Sequence, residues 1–337
     1  MNILLPVYQY PTMTVLIDDS QSFLKSLAFH LQAQRACKVF HDAQRAIDWL
    51  CQSHRQSAKL TEPIRVNYDE ENLSFERRIV TIDLDQIHRQ VMNPQRFLMP
   101  SVLVIDYAMP QMDGLAFCEA IQHLPCKKIL FAGQADEKIA VAGFNRGLID
   151  RYIKKGDHDA LDRLESEIGT LQTEFFVAQS HTLKDLLTRD SYTFLSDPAM
   201  GTLVAQLCHR YGFVEYYLFP NPSGILFLDA KGKATLMVVE TESGLMSQLE
   251  VAQDNGAPLE LLTALRELRV VPYFHDSGGM FTSALEHDWL SYCLPSQICS
   301  GRQDYLWALF DLPPHCLPDP LYSYSEFLQG QTAALTS

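Results

Sequence analysis

The segment SVLVIDYAMPQMDG, residues 101–114, constrains the fold more than any other part of the chain. Val102 to Ile105 are four consecutive apolar residues, three of them β-branched, a composition that suits a central parallel strand covered on both faces. The run stops at a carboxylate, Asp106, and gives way to a turn. Sites in open α/β sheets form beyond the carboxyl ends of the strands, so Asp106 is expected where a functional acid would stand. One acidic strand end is also what an ordinary solvated sheet offers, so the weight of the reading rests on its companions.

Two segments supply them. TVLIDDS, residues 14–20, is a second apolar strand that ends in Asp18 and Asp19, and LIDRYIKKG, residues 148–156, is a short strand that ends in Lys154 and Lys155. Three parallel strands would thus bring carboxylates and an ammonium to one sheet edge. Carboxylates a few ångströms apart repel, and a hard divalent cation relieves that repulsion. Mg²⁺ fits, because it accepts one or two carboxylates and keeps several waters. A carboxylate beside Mg²⁺ and a lysine is equipped to accept a phosphoryl group, since both cations stabilise charge on the transferring oxygens.

The combination of the Asp18–Asp19 pair, D-x-x-MP-x-M-D-G from Asp106 to Gly114, and an aromatic residue three before a lysine resembles the receiver domain of bacterial two-component response regulators. The resemblance spans residues 13–158 and implies a doubly wound parallel sheet of the flavodoxin-like type. It assigns Asp106 as phospho-acceptor, Asp18, Asp19, Asp106 and the backbone carbonyl of Ala108 as Mg²⁺ ligands, and Lys155 as the phosphoryl contact. Tyr152 matches the aromatic switch residue. Gln134 and Ala108 match positions that flank the acyl phosphate. The implied partner is a sensor histidine kinase or a phosphotransfer protein.

Two departures qualify that pattern. The family places Ser or Thr where this chain has Ala132, so a hydroxyl contact to the phosphoryl group, worth roughly 1.5–3 kcal/mol, is missing, which puts coupling from Asp106 to Tyr152 in question but not phosphorylation itself. Asp19 and Asp106 also lie 87 positions apart, about twice the family's usual separation. A helix near Ser22–Gln34, a strand at Lys38–Phe40 and a helix from Ala43 to Cys51 capped by Asp42 fill the ordinary content. Residues 54–98 are then an insertion. IRVNY and ERRIVTID are expected to pair around the polar DEENLSF, and LDQIHRQVM puts Leu84, Ile87 and Val91 on one helical face. A folded subelement is expected there rather than a bare loop.

From Leu161 the apolar positions 161, 164, 168, 171, 175 and 178 alternate steps of three and four, which predicts a helix over the linker at 159–190. Its length suggests a helix that pairs with a second protomer or packs on the output domain, although Gly169 weakens it by roughly 1 kcal/mol. The remaining residues, 191–337, read as an α+β output domain. Asp197 and Pro198 open a helix, FVEYYLF is a strand, GILFLD and ATLMVVE are hairpin strands around a Lys-Gly turn, and LELLTALRELR is a helix. WLSYCL and YLWALFDL read as buried segments, and no helix-turn-helix stands out. The hairpin loosely resembles that of PAS-like sensory domains.

From residue 180 onward, 18 acidic residues face 8 basic ones, a balance that argues against direct DNA binding. YFHDSGGMF, residues 273–281, offers His275 and Asp276 beside Gly278 and Gly279. It reads either as a loop closing over a small molecule or nucleotide, or as a turn with a capping aspartate. Three roles remain open for this half: a nucleotide- or small-molecule-binding module, a protein-interaction module, and an enzyme processing a nucleotide, for which no signature is evident.

No apolar run reaches membrane-spanning length, the N-terminus lacks a basic signal-peptide region, and eight cysteines are scattered without metal-ligand spacing. The expected location is the cytoplasm. The layout of long insertion, acidic α+β half, YFHDSGGMF and YLWALFDLP is similar to the response regulators of Lqs-type quorum-sensing systems. A homodimer controlled by phosphorylation is the expected form.

Overall fold

The computed structural model describes residues 5–31, 35–58, 64–68, 78–133, 137–189, 192–313, 316–317 and 321–336. In chain order the first elements are β1 (Tyr8–Gln9), β2 (Met13–Ile17), α1 (Gln21–Leu31), β3 (Cys37–Phe40), α2 (Ala43–Ala58), β4 (Ile64–Tyr68), β5 (Arg78–Ile82) and α3 (Asp85–Met92). Next come β6 (Pro100–Ile105), α4 (Gly114–Ala120), β7 (Lys127–Ala132), α5 (Glu137–Asn145), β8 (Arg151–Lys154) and α6 (Ala160–Leu187). The rest are α7 (Pro198–Tyr211), β9 (Phe213–Phe219), β10 (Gly224–Asp229), β11 (Ala234–Glu240), α8 (Glu242–Asp254) and α9 (Leu259–Arg266). They are followed by β12 (Val270–Pro272), β13 (Cys293–Pro295), β14 (Gln297–Ser300), β15 (Asp304–Asp311) and α10 (Tyr324–Thr336).

The chain divides into two compact units. One comprises Tyr10–Glu62, Asn93–Gln179 and Tyr324–Ser337, the other Met1–Gln9, Pro63–Met92 and Ser180–Ser323. These boundaries differ from 13–158, 159–190 and 191–337, because the chain's partners in space are not its neighbours in sequence.

The first unit is built on a parallel sheet of order β3-β2-β6-β7-β8. Every residue of β2 and β6 is buried, as expected for strands covered on both faces. Leu16, Val102, Val104, Ile129, Phe131 and Ile153 line one face and pack against Leu24, Leu27 and Leu31 of α1 and Leu164, Ile168 and Leu171 of α6. Each such side chain contributes about 1.5–3 kcal/mol through burial. The apolar stripe of α6, extended by Phe175 and by Phe176 against Tyr10, is therefore used within its own chain rather than kept for a second protomer. Asp42 caps α2 through Arg45 N–H at 2.8 Å, and that backbone hydrogen bond lowers the carboxyl pKa below its ordinary value. α10 also belongs to this unit: Tyr324 OH accepts the amide of Ala36 at 3.0 Å, and Phe97 meets the rings of Tyr324 and Phe327 at 5.1 and 5.3 Å.

The second unit carries a six-stranded antiparallel sheet, order β1-β9-β10-β11-β15-β14. β1 pairs Tyr8 with Tyr217, so the N-terminal segment is an edge strand of this sheet. Residues 63–92 of the insertion belong to this unit too, outside the six-stranded sheet. β4 and β5 form the expected antiparallel hairpin, and α3, with Ile87 and Val91 buried, packs against β9. The DEENLSF stretch between the hairpin strands lies outside the described residues. Asp197 begins α7 as anticipated: buried, it accepts Ala199 N–H at 3.0 Å and Arg302 N–H at 2.6 Å.

Candidate functional site

In the sheet order β3-β2-β6 the chain reverses its direction of growth between β2 and β6. That switch point leaves a crevice at the carboxyl ends of the two strands, the place where ligands bind in sheets of this kind. Asp18 and Asp19 follow β2, and Asp106 follows β6, so all three carboxylates stand at the crevice. Asp106 N–H donates to Ile17 O at 2.8 Å, which ties the two strand ends together. One oxygen from each carboxylate lies within 4.8 Å of the others. Asp18 and Asp106 are buried and Asp19 is exposed.

Lys155, one residue past β8, closes the cluster. Its Nζ donates to Asp18 Oδ2 at 2.5 Å and to Asp106 Oδ1 at 2.6 Å. The remaining carboxylate oxygens are held by backbone: Ser20 N–H donates to Asp18 Oδ1 at 2.8 Å and Ala108 N–H to Asp106 Oδ2 at 2.9 Å. Three ionised carboxylates and one ammonium leave two negative charges, which one divalent cation balances. An all-oxygen donor set of this kind suits Mg²⁺.

The turn after Asp106 follows from sterics. A Cβ on Gly114 would come within 2.5 Å of Asp106 O, so only glycine fits where α4 begins beside the acceptor strand. Asp113 caps α4 by accepting Ala116 N–H at 2.8 Å. Ala132 ends β7, is buried, and accepts Lys155 N–H through its backbone oxygen at 2.9 Å. Its side chain offers no hydroxyl. Tyr152 lies on β8, half-buried. Gln134 lies outside the described residues. Phe23 was not singled out from the sequence, yet its ring centre lies 4.4 Å from Lys155 Nζ. Its position in the first turn of α1, four residues past Asp19, was the available signal.

The loop at 273–281 is a different kind of object. His275 to Ser277 form a short 3₁₀ turn, and Gly278 and Gly279 take φ values of 69° and 89°. Asp276 accepts Tyr292 OH at 2.6 Å and lies 3.0 Å from His275 Nδ1. The contact with Asp276 raises the Tyr292 pKa. These groups hold the loop to the neighbouring segment. Far from that turn in sequence, Glu240 at the end of β11 has its carboxyl pushed up to about 7 by burial.

The sheet order and the charged crevice are those of a receiver domain, a unit of response regulators. The whole chain is similar to the Legionella pneumophila response regulator LqsR, with 31% identity, a TM-score of 0.77, and coverage of 98% of this chain and 97% of that one. It is similar over about half its length to the signal receiver domain of an HD-domain-containing protein from Pseudomonas fluorescens, at 17% identity and TM-score 0.34, covering 51% of this chain and 93% of that one. A Francisella response-regulator receiver domain matches at 17% identity and TM-score 0.31, covering 48% and 98%. No protein-family model and no curated protein sequence matches the chain. The full-length similarity places the protein: it belongs to the LqsR-type response regulators.

Proposed function

We propose that this response regulator is phosphorylated on Asp106 in a Mg²⁺-dependent reaction, and that the modification controls its output unit. The observation that carries this reading is the single ammonium of Lys155 shared between Asp18 and Asp106 beside a third carboxylate. Asp18, Asp19, Asp106 and the Ala108 carbonyl would hold the metal, which neutralises charge on the transferring phosphoryl oxygens. Asp106 Oδ attacks the phosphorus of a phosphohistidine, whose imidazole nitrogen leaves. Lys155 moves from the carboxylates to a phosphoryl oxygen. The donor is a sensor histidine kinase or phosphotransfer protein, and the setting is a cytoplasmic phosphorelay, in quorum sensing by kinship with LqsR-type regulators.

Downstream, Tyr152 and α5 carry the change, with homodimerisation as the controlled property. Val141 and Phe144 of α5 are exposed, which supports a contact surface there. Because Ala132 lacks a hydroxyl, the response at Tyr152 rests on Lys155 alone. Among the described residues no helix is long and apolar enough to cross a membrane.

For the second unit, direct DNA contact is disfavoured by its acidic balance. A small-molecule or nucleotide role is favoured over a protein-interaction role by a cleft of about 680 Å³ lined by Tyr211, Phe213, Phe310, Asp229 and the Lys233–Asp311 pair, the last two 3.0 Å apart. Tyr211 and Phe213 stack there at 5.6 Å. Titration of full-length protein with nucleotides tests this: no saturable binding returns the output to a protein-interaction role. Incubation with acetyl phosphate tests the receiver assignment. One phosphoryl group should be taken up with Mg²⁺ and none when EDTA is present. Equal uptake by the Asp106→Asn variant would sink the site assignment.

A further inference from the structure

A second cavity, of about 350 Å³, lies in the first unit at the opposite end of the parallel sheet from Asp106. Its apolar floor includes Met13, the first residue of β2, and Leu98, just before β6, whereas the carboxylates follow the last residues of those strands. The walls come from Lys38 at the start of β3, from Trp49, Gln52, Ser53 and Gln56 on α2, and from Gln331 on α10. In a chain of net charge −14, none of the described residues lining this space is acidic.

Of the polar groups that line the cavity, Gln52 and Gln56 are exposed and Lys38 and Ser53 are half-buried. Among the described residues, the side chains of Lys38, Gln52, Ser53, Gln56 and Gln331 make no hydrogen bond or ion pair. Lys38 Nζ instead lies 5.0 Å from the Trp49 ring centre and 5.7 Å from that of Phe40. Those rings hold the ammonium in place without cancelling its charge. An ammonium, side-chain amides and a hydroxyl line one space together with Met13, Leu98 and Trp49, and its volume falls within the roughly 300–1,000 Å³ of small-ligand sites. The ligand that completes such a set is an anion with an apolar body.

We propose that this cavity binds a small organic carboxylate, with Lys38 as its charge partner and the apolar body against Met13, Leu98 and Trp49. A carboxylate fits better than a doubly charged phosphate, because among the described lining residues there is one ammonium and the other donors are neutral. Since α10 forms part of the wall, occupancy would also hold the C-terminal helix on this unit. The site is independent of phosphorylation at Asp106.

The test is thermal unfolding of the full chain with benzoate, hexanoate and phenyl phosphate, and with benzamide as a neutral control. At about 100 times its dissociation constant the carboxylate should raise the melting temperature by roughly 3–6 °C, and benzamide should not. Lys38→Gln should weaken binding about tenfold or more, and Lys38→Arg should keep it within about threefold. Gln56→Glu, on the exposed side of α2, leaves Lys38 in place and should weaken carboxylate binding through repulsion. No saturable shift with either carboxylate overturns the proposal, as does undiminished binding in both Lys38→Gln and Gln56→Glu. A tenfold preference for phenyl phosphate over benzoate overturns the carboxylate assignment.

Discussion

The crevice at Asp106 and the loop at His275 both gather charged and aromatic side chains, yet they spend them differently. At the crevice, Asp18, Asp19 and Asp106 come from two strand ends, and one lysine serves two of them. The carboxylates there outnumber their cation. In the loop, Asp276 is shared by His275 and Tyr292, a residue from the adjoining turn, and the polar groups close on one another. A surplus of carboxylates delivered by two strand ends is the arrangement our proposal assigns to a cation and a phosphoryl group. A balanced set drawn from neighbouring turns marks a fastening.

The largest effect expected from this contrast is on phosphoryl uptake. Asp106→Asn should lower it by on the order of 10³ or more, while Asp276→Asn should leave it unchanged. Comparable losses in both variants, read by gel shift of the phosphorylated form, would erase the distinction. Lys155→Ala should reduce the rate by about 10²-fold, since it removes the cation aimed at the transferring oxygens.

Backbone effects come next. Gly114→Ala should destabilise the protein by about 2–4 kcal/mol in urea denaturation, because its Cβ would meet Asp106 O at 2.5 Å. Glu240 provides a pH test outside both regions. Its folded-state pKa of about 7 exceeds the ordinary 4.5, so its proton is bound more tightly in the folded state. The associated stability is present below pH 4.5 and is lost as pH rises through 7. Relative to Glu240→Gln, the protein should lose up to about 3 kcal/mol across that window. A parallel pH profile in the two proteins would remove burial as the cause. The smallest effect is expected for Tyr292→Phe, which deletes one fastening hydrogen bond and should cost about 1 kcal/mol with phosphorylation intact.

Much of the first unit was legible because parallel strands buried on both faces must read as apolar runs, and VLVI and TVLI do so, each ending in acids. The antiparallel meander from Phe213 to Glu240 was legible for a related reason, its turn residues falling between apolar strands. What the sequence concealed was partnership. Tyr8–Gln9 is too short to carry a period, and its strand character comes from Tyr217 across the sheet. The stripe from Leu164 to Leu171 has the spacing of a helix seam, but spacing names no acceptor, and the acceptor is the chain's own sheet. α10 was missed because Tyr324 and Phe327 find Phe97 more than two hundred residues earlier. Phe23 escaped notice because an aromatic in a first helical turn carries no motif.

The most direct test of the account is to locate the phosphoryl group. Full-length protein treated with acetyl phosphate and Mg²⁺, reduced with borohydride at the acyl phosphate and digested, should carry the mark at residue 106 alone. A mark at Asp18, Asp19 or Asp276, or none under conditions that label a known receiver, would contradict it.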